Sequence, residues 1–328
     1  MKRFYAFLGA AMALAVAAFA PAAQAQDWPS RPVKVIVPFA PGGSADTLGR
    51  TFAEQLSEKF KQQFVADNRT GAGGLIGSAE AARAAPDGYT FVVSGIASHV
   101  IAPAINEKAG FDPIKNFTHV AYFGGPPIVI VTHPSVGAKT FPEFVAWAKA
   151  QTTPIAYVSP GAGTLGNLVA EYWGGKEKIK VEHIPYRGAA VAITDLIAGH
   201  VKVGSMTWTS ALAQIRAKAV VPLAVTSANR MPEFPDVPTL KELGYPDLVA
   251  TTWFSLSAPA GLPQDITDKV NAAVVAAMDA EIVRKRLETE GMEIEKMSAD
   301  AFTTLMAEEI AKWGPIAKQA MGAGAPAR

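Results

Sequence analysis

The sequence predicts an α/β protein of two lobes, each a mostly parallel sheet flanked by helices, with a ligand cleft between the lobes. Three observations carry this. Short β-rich runs alternate with helical runs for most of the length, the pattern of parallel strands joined by crossover helices. The alternation falls into two blocks, about Asp27–Phe123 and Pro126–Tyr245, parted by the break Gly124-Gly125-Pro126-Pro127. The chain then re-enters strand-like sequence at Thr251–Ser255 and ends in helical stretches, Asp265–Asp279 and Ala299–Ala320. A return of this last segment onto the first block closes a two-lobed molecule.

In chain order, the first segment reads as a leader. Met1-Lys2-Arg3 is basic, Phe4–Phe19 is a short apolar run, and Ala23-Gln24-Ala25 is a small-residue cleavage pattern. Cleavage after Ala25 would leave Gln26 as the first residue of an exported chain; a retained membrane anchor is the alternative, against which the apolar run is short for a span. The expected organisation is a cleaved signal over 1–25, a first lobe over 26–124, a second over 125–247, and a return to the first lobe over 248–328. Expected strands are Val33–Val37, Phe64–Asp67, Thr90–Ser94, Ile128–Thr132, Ile155–Val158, Val181–Pro185, Val201–Ser205, Pro222–Thr226 and Thr252–Ser257. Leu48, Phe52, Leu56 and Phe60 recur every four residues and mark one face of a helix. Phe141–Ala150 and Ala189–Ala198 are further helical runs, and the Gly322–Arg328 tail reads as frayed.

Chemistry concentrates in glycine-rich turns at strand ends, where open α/β sheets bind ligands. The first is Pro41-Gly42-Gly43-Ser44, with Ser44 expected as N-cap and Asp46 in the first helical turn. Such a turn presents unpaired N–H groups to an anion; a plain capped connection is the alternative, since Asp46 already supplies negative charge there. The second, Asn68–Gly74, brings Gly73 to the same end; Arg69 can pair with Asp67. The third holds Ser159, Gly161, Gly163, Thr164, Gly166 and Asn167. Its glycines match G-x-G-x-x-G, yet it sits mid-chain behind an export signal, so a second anion nest facing the first fits better than a dinucleotide site. The fourth, Ser94–His99, offers the hydroxyls of Ser94 and Ser98. Trp208, Trp253 and Phe254 are candidate cleft walls, with core packing the alternative. Tyr186, and Asp195 on the helix that follows it, complete the candidate ligand contacts.

Other classes fit poorly. Without Lys2 and Arg3, 28 basic residues stand against 29 acidic, so no nucleic-acid partner is expected. There is no cysteine, which excludes thiolate catalysis and Cys-based metal sites. The five histidines, His99, His119, His133, His183 and His200, have no zinc-site spacing, and no G-x-S-x-G elbow exists. No metal, no cofactor and no catalytic residue is expected.

The motifs Trp28-Pro29-x-Arg31-Pro32, Val37-Pro38-Phe39-x-Pro41-Gly42-Gly43-x-x-Asp46, Asn68-Arg69-x-Gly71-Ala72-Gly73-Gly74, Ala85-Pro86-Asp87-Gly88-Tyr89-Thr90, Pro185-Tyr186-x-Gly188 and Pro235-Asp236-Val237-Pro238-Thr239 occur in order along the mature chain. Together they resemble the Bug/TctC family, the extracytoplasmic solute-binding proteins of tripartite tricarboxylate transporters. The resemblance implies a periplasmic binding protein of type II topology. It implies that the Pro41–Gly43 loop helps hold a ligand carboxylate and that Ser159–Asn167 contribute from the second lobe. Members take citrate, C4-dicarboxylates, acidic amino acids, aromatic carboxylates and some uncharged compounds. The chain departs from the family pattern at Gly199-His200-Val201-Lys202, in the stretch Gly204–Trp208, and at Asn167, where many members carry His. The expected function is capture of a small organic carboxylate by a monomer that delivers it to membrane components of such a transporter. A secreted α/β enzyme and a ligand-sensing module are the alternatives.

Overall fold

The computed structural model describes residues 28–321 apart from positions 187, 290, 293 and 294. The leader, its cleavage point and the tail lie outside the described residues. Two five-stranded sheets organise the chain. The first contains β1 (Val33–Val37), β2 (Phe64–Asn68), β3 (Thr90–Gly95), β4 (Phe117–Gly124) and β10 (Phe254–Pro259), in the order β2-β1-β3-β10-β4. The second contains β5 (Ile128–Thr132), β6 (Ile155–Ser159), β7 (Val181–Pro185), β8 (Val203–Thr207) and β9 (Val221–Val225), in the order β7-β6-β8-β5-β9. The two orders are the same design. In each, four strands run in one direction, and the first strand after a crossing between lobes inserts antiparallel to them, next to the edge strand.

The helices are α1 (Ser44–Phe60), α2 (Leu75–Ala82), α3 (Ala102–Ile105), α4 (Phe141–Lys149), α5 (Leu165–Glu177), α6 (Ala189–Ile197), α7 (Trp208–Arg216), α8 (Gln264–Ala277), α9 (Glu281–Thr289) and α10 (Ala299–Met321). The four-residue spacing in α1 buries Leu48, Phe52 and Leu56, and Phe52 stacks on Phe123 with centroids 4.1 Å apart. A capping box starts α4: Thr140 accepts from Glu143 N–H, and the Glu143 carboxylate accepts from Thr140 N–H.

The first sheet holds a strand not expected from sequence. β4 carries Thr118 and His119 among its apolar residues, and its partner β10 lies far along the chain. Neither local alternation nor a nearby hairpin signals it. β8 and β10 begin two residues later than expected.

The lobes are joined where two crossing segments lie side by side. Thr252 N–H donates to Pro126 O at 2.7 Å, and Pro127 bridges Thr251. Gly125 sits against the Thr252 carbonyl, where a Cβ would overlap backbone. The long helix α10 packs on β4 of the first lobe and on α5 of the second. It buries Phe302, Met306, Trp313 and Ala317 in the cluster that also holds the core of the second lobe. Trp253 Nε1–H, on the second crossing, donates to Glu309 of α10 at 2.7 Å.

Gly125→Ala forces the two crossing backbones apart. Urea unfolding of this variant is expected to show a loss of about 2 kcal/mol, in the range of overpacked interior sites.

Candidate functional site

Both lobes build the same turn at the carboxyl end of a parallel strand. β1 leads through Gly42 into α1, and β6 leads through Gly163 into α5. Gly42 (φ +83°) and Gly163 (φ +76°) occupy the left-handed region that favours glycine. Each turn is fixed by a side chain four residues on, the third residue of its helix. Asp46 Oδ2 accepts Gly42 N–H at 3.0 Å, and Asn167 Oδ1 accepts Gly163 N–H at 3.0 Å.

These bonds change which amides are open. The N–H groups of Gly42 and Gly163 point inward, and Gly161 N–H donates to Ser159 Oγ. The open groups lie one step further along. Among the described residues, the backbone N–H groups of Ser44, Ala45 and Asp46 in α1, and of Leu165 and Gly166 in α5, have no acceptor. The same holds for Thr209 and Ser210 at the start of α7. Ser44 is not the N-cap; Gly43 is, without a side-chain bond. As the first residue of α1, Ser44 turns its hydroxyl outward to the other lobe.

The turns of the two lobes meet. Ser44 Oγ lies 2.7 Å from Thr209 Oγ1 and 3.4 Å from Thr207 Oγ1, and Thr207 Oγ1 bonds Ser210 Oγ at 2.7 Å. A Cβ on Gly73 (φ +65°) would stand 2.7 Å from Ala162 O, so only a glycine permits this approach. Gly163 packs on Ala102 and Gly188 on Ala40 in the same way. Gly166 sits on the Ser205 carbonyl and holds the start of α5 beside the strand that leads into α7. Three helix N-termini, α1, α5 and α7, therefore converge at the junction between lobes.

The expected serines lie just beneath this surface. Ser94 bonds Ser255 and Ser257 at 2.7 and 2.6 Å, and Ser257 bonds His119 Nδ1 at 2.9 Å. Ser98 bonds His99 Nδ1 at 3.0 Å, within a π-helical turn over Ile96–Ile101. Ser159 bonds His183 Nε2 at 2.7 Å. All three serines are fully buried. Thr164 caps α5 by accepting Asn167 N–H, and its hydroxyl donates to Gly161 O at 2.8 Å. Tyr186 and Asp195 bond each other, and Asp195 also faces His200 at 3.5 Å. Pro41 lies at the exposed lip of its loop. The aromatic candidates are packed inside: Trp208 against Phe234, Trp253 against Tyr122 and Phe302, and Phe254 in the core of the first lobe.

The charges at the two turns differ. Burial opposes ionisation of Asp46, but bonds from Arg50, Asn68 and Gly42, with the Arg50 charge, outweigh it and hold the carboxyl below its usual range. Behind Asn167 stands Glu171, whose carboxyl burial pushes up against the opposing effect of the Tyr157 hydroxyl. Burial lowers His183 to about 4. It is a neutral, weak base at neutral pH, and no carboxylate bonds it among the described residues. The Ser159–His183 contact thus orders the turn without the acid partner of a triad. Among the described residues no cluster of acids and histidines could hold a metal ion, and no helix is long and apolar enough to cross a membrane.

Sequence reasoning missed Thr209, Ser210 and the close-approach partners Ala40, Ala102 and Gly188. The departure at Gly204–Trp208 was the signal that this strand end borders the site. The arrangement defines a class: a two-lobed solute-binding protein whose helix starts face a common junction. The chain belongs to the tripartite tricarboxylate transporter receptor family, TctC, whose model matches residues 48–322. It is 30% identical over 320 residues to Protein BugT of Bordetella pertussis, covering 97% of this chain and 98% of that protein. R. palustris Rpa4515, solved with adipate, superposes with a TM-score of 0.85 at 30% identity, covering 90% of this chain and 99% of that one. MatC (Rpa3494) of Rhodopseudomonas palustris, solved with bound malate, superposes with a TM-score of 0.83 at 30% identity, covering 88% and 100%.

Burial also holds His119 at about 4, well below an unfolded value near 6.5. The unfolded chain therefore binds the extra proton between these values. Above pH 6.5 this group costs nothing; as pH falls toward 4 it removes up to about 3 kcal/mol of stability. Urea melts at pH 7 and 4.5 are expected to show this slope, and His119→Gln is expected to reduce it.

Proposed function

We propose that the protein is a periplasmic receptor that closes its lobes over a small organic carboxylate and passes it to the membrane components of a tripartite transporter. The observation that carries this reading is the convergence of three helix N-termini with unbonded N–H groups. Each such end favours an anion by about 0.3–1 kcal/mol, up to about 2 when partly buried, and three acting together suit a carboxylate. The adipate and malate in the related proteins support the same ligand class.

In this reading the Pro41–Ser44 loop and the Gly161–Asn167 loop frame the carboxylate, and Gly73 sets how nearly the lobes approach. Ser94, Ser98 and Ser159 hold the floor from beneath, and Tyr186 with Asp195 steadies the rim. Trp208, Trp253 and Phe254 act through the cores that carry these loops. The chain works as a non-catalytic monomer, exported and cleaved after Ala25. The one observation for a second reading, an α/β enzyme, is the Ser159–His183 contact; turnover of a bound ester, lost in Ser159→Ala, would favour it.

Isothermal calorimetry with adipate, malate and citrate tests the receptor reading, which requires one-site binding of at least one of them. A Cβ on Gly43 meets nothing nearer than Ala40 O at 3.9 Å, so a side chain there fits the unliganded fold. Gly43→Val is expected to keep the melting temperature and lose at least tenfold in affinity for whichever acid binds; unchanged affinity would remove this loop from the site.

A further inference from the structure

The buried stripe of α10 has a carboxylate in its middle. Phe302, Met306, Trp313 and Ala317 recur at helical spacing and are fully buried. Glu309 falls three residues after Met306 and four before Trp313, so it shares their face. Burial pushes its carboxyl up. The Trp253 ring N–H, the Lys312 charge and the Trp313 ring N–H oppose this, and the Glu308 charge adds to it. An apolar side chain would complete the stripe without that cost, so the carboxylate has another task.

What it holds is the second crossing between lobes. Trp253 Nε1–H donates to Glu309 Oε2 at 2.7 Å. The indole is buried beside Tyr122 of β4 and Phe302 of α10, with ring centroids 6.2 and 6.1 Å away. Trp253 directly follows Thr252, whose N–H donates to Pro126 O on the first crossing. The indole therefore stands at the pivot between lobes. The rod α10 packs on β4 of one lobe and α5 of the other. One hydrogen bond thus joins the helix that touches both lobes to the pivot about which they turn. It is made in the arrangement in which Gly73 of the first lobe meets Ala162 O of the second.

Building on the receptor reading, we propose that Glu309 is a positioning residue for lobe closure: its bond to Trp253 holds α10 and the second crossing in the register in which the lobes touch. Opening turns the crossings against the rod and strains this bond, so the bond favours the closed form and slows release of the ligand. The acceptor oxygen matters here, and the charge does not. Glutamine keeps an oxygen for the indole N–H and removes a charge that burial opposes. Leucine suits the stripe but leaves the Trp253 N–H unpaired when the lobes close.

Variants of the full chain test this by two readouts. In small-angle scattering without ligand, Glu309→Leu is expected to have a radius of gyration larger than the parent's by about 1 Å, the scale of a hinge opening, and Glu309→Gln to match the parent. In stopped-flow measurements with whichever of adipate, malate and citrate binds, Glu309→Leu is expected to release the acid at least fivefold faster, and Glu309→Gln within twofold of the parent. A purely structural contact would lower the melting temperature of Glu309→Leu and move neither quantity. The proposal is overturned if either the radius or the release rate is unchanged in Glu309→Leu, or if Glu309→Gln behaves as Glu309→Leu does. Should Glu309→Leu not fold, Trp253→Phe, which removes the donor and keeps a ring in the core, carries the test with the same expectations. If the parent binds none of the acids, the receptor reading fails, and scattering alone decides whether Glu309 governs closure.

Discussion

Everything at the junction between lobes depends on two backbone hydrogen bonds, from Gly42 N–H to Asp46 and from Gly163 N–H to Asn167. Each holds a glycine in the left-handed region and aims the next helix at the opposite lobe. A glycine turn without such a bond has many accessible conformations and loses more entropy when it orders. With the bond in place, the first helical amides stand in a fixed array, the preorganisation on which the proposed receptor role would draw.

The molecule uses one plan twice. Each sheet holds a single antiparallel strand that enters at a crossing between lobes; the first sheet is completed only when β10 returns from beyond the second lobe, whereas β5–β9 form one contiguous stretch of chain. The crossings that deliver β5 and β10 run against each other at Gly125 and Thr252. Glycine recurs wherever backbones from different elements touch: Gly125 at the crossing, Gly73 and Gly163 across the junction, Gly166 on the strand leading to α7. The same residue type therefore serves assembly and closure through close approach.

Much of this was legible in the sequence. Val33–Val37, Ile128–Thr132 and Val181–Pro185 match observed strands residue for residue; turn residues bound the first two runs on both sides, and Pro185 closes the third. The glycine turns were visible as motifs, and the Arg69–Asp67 pair forms at 2.9 Å. What escaped was relational. β4 needs a partner supplied by β10, far away in the chain. The outward hydroxyl of Ser44 follows from Gly43 taking the cap, which composition does not decide. Thr209 and Ser210 matter through contacts with the other lobe and within their own helix start, and no periodicity marks either. The buried rings of Trp208, Trp253 and Phe254 show how strongly apolar area decides the fate of an aromatic side chain.

The helix α10 belongs to neither half alone. Its buried residues run from Phe302 to Ala317, and Pro315 near its end removes one backbone donor from the ladder. Any swing that parts the halves must slide this rod along β4, along α5, or along both. Sliding between interlocked side chains proceeds in discrete steps. Packing of this one rod against both halves therefore ties their separation to the repacking of residues near the C-terminal end of the described chain.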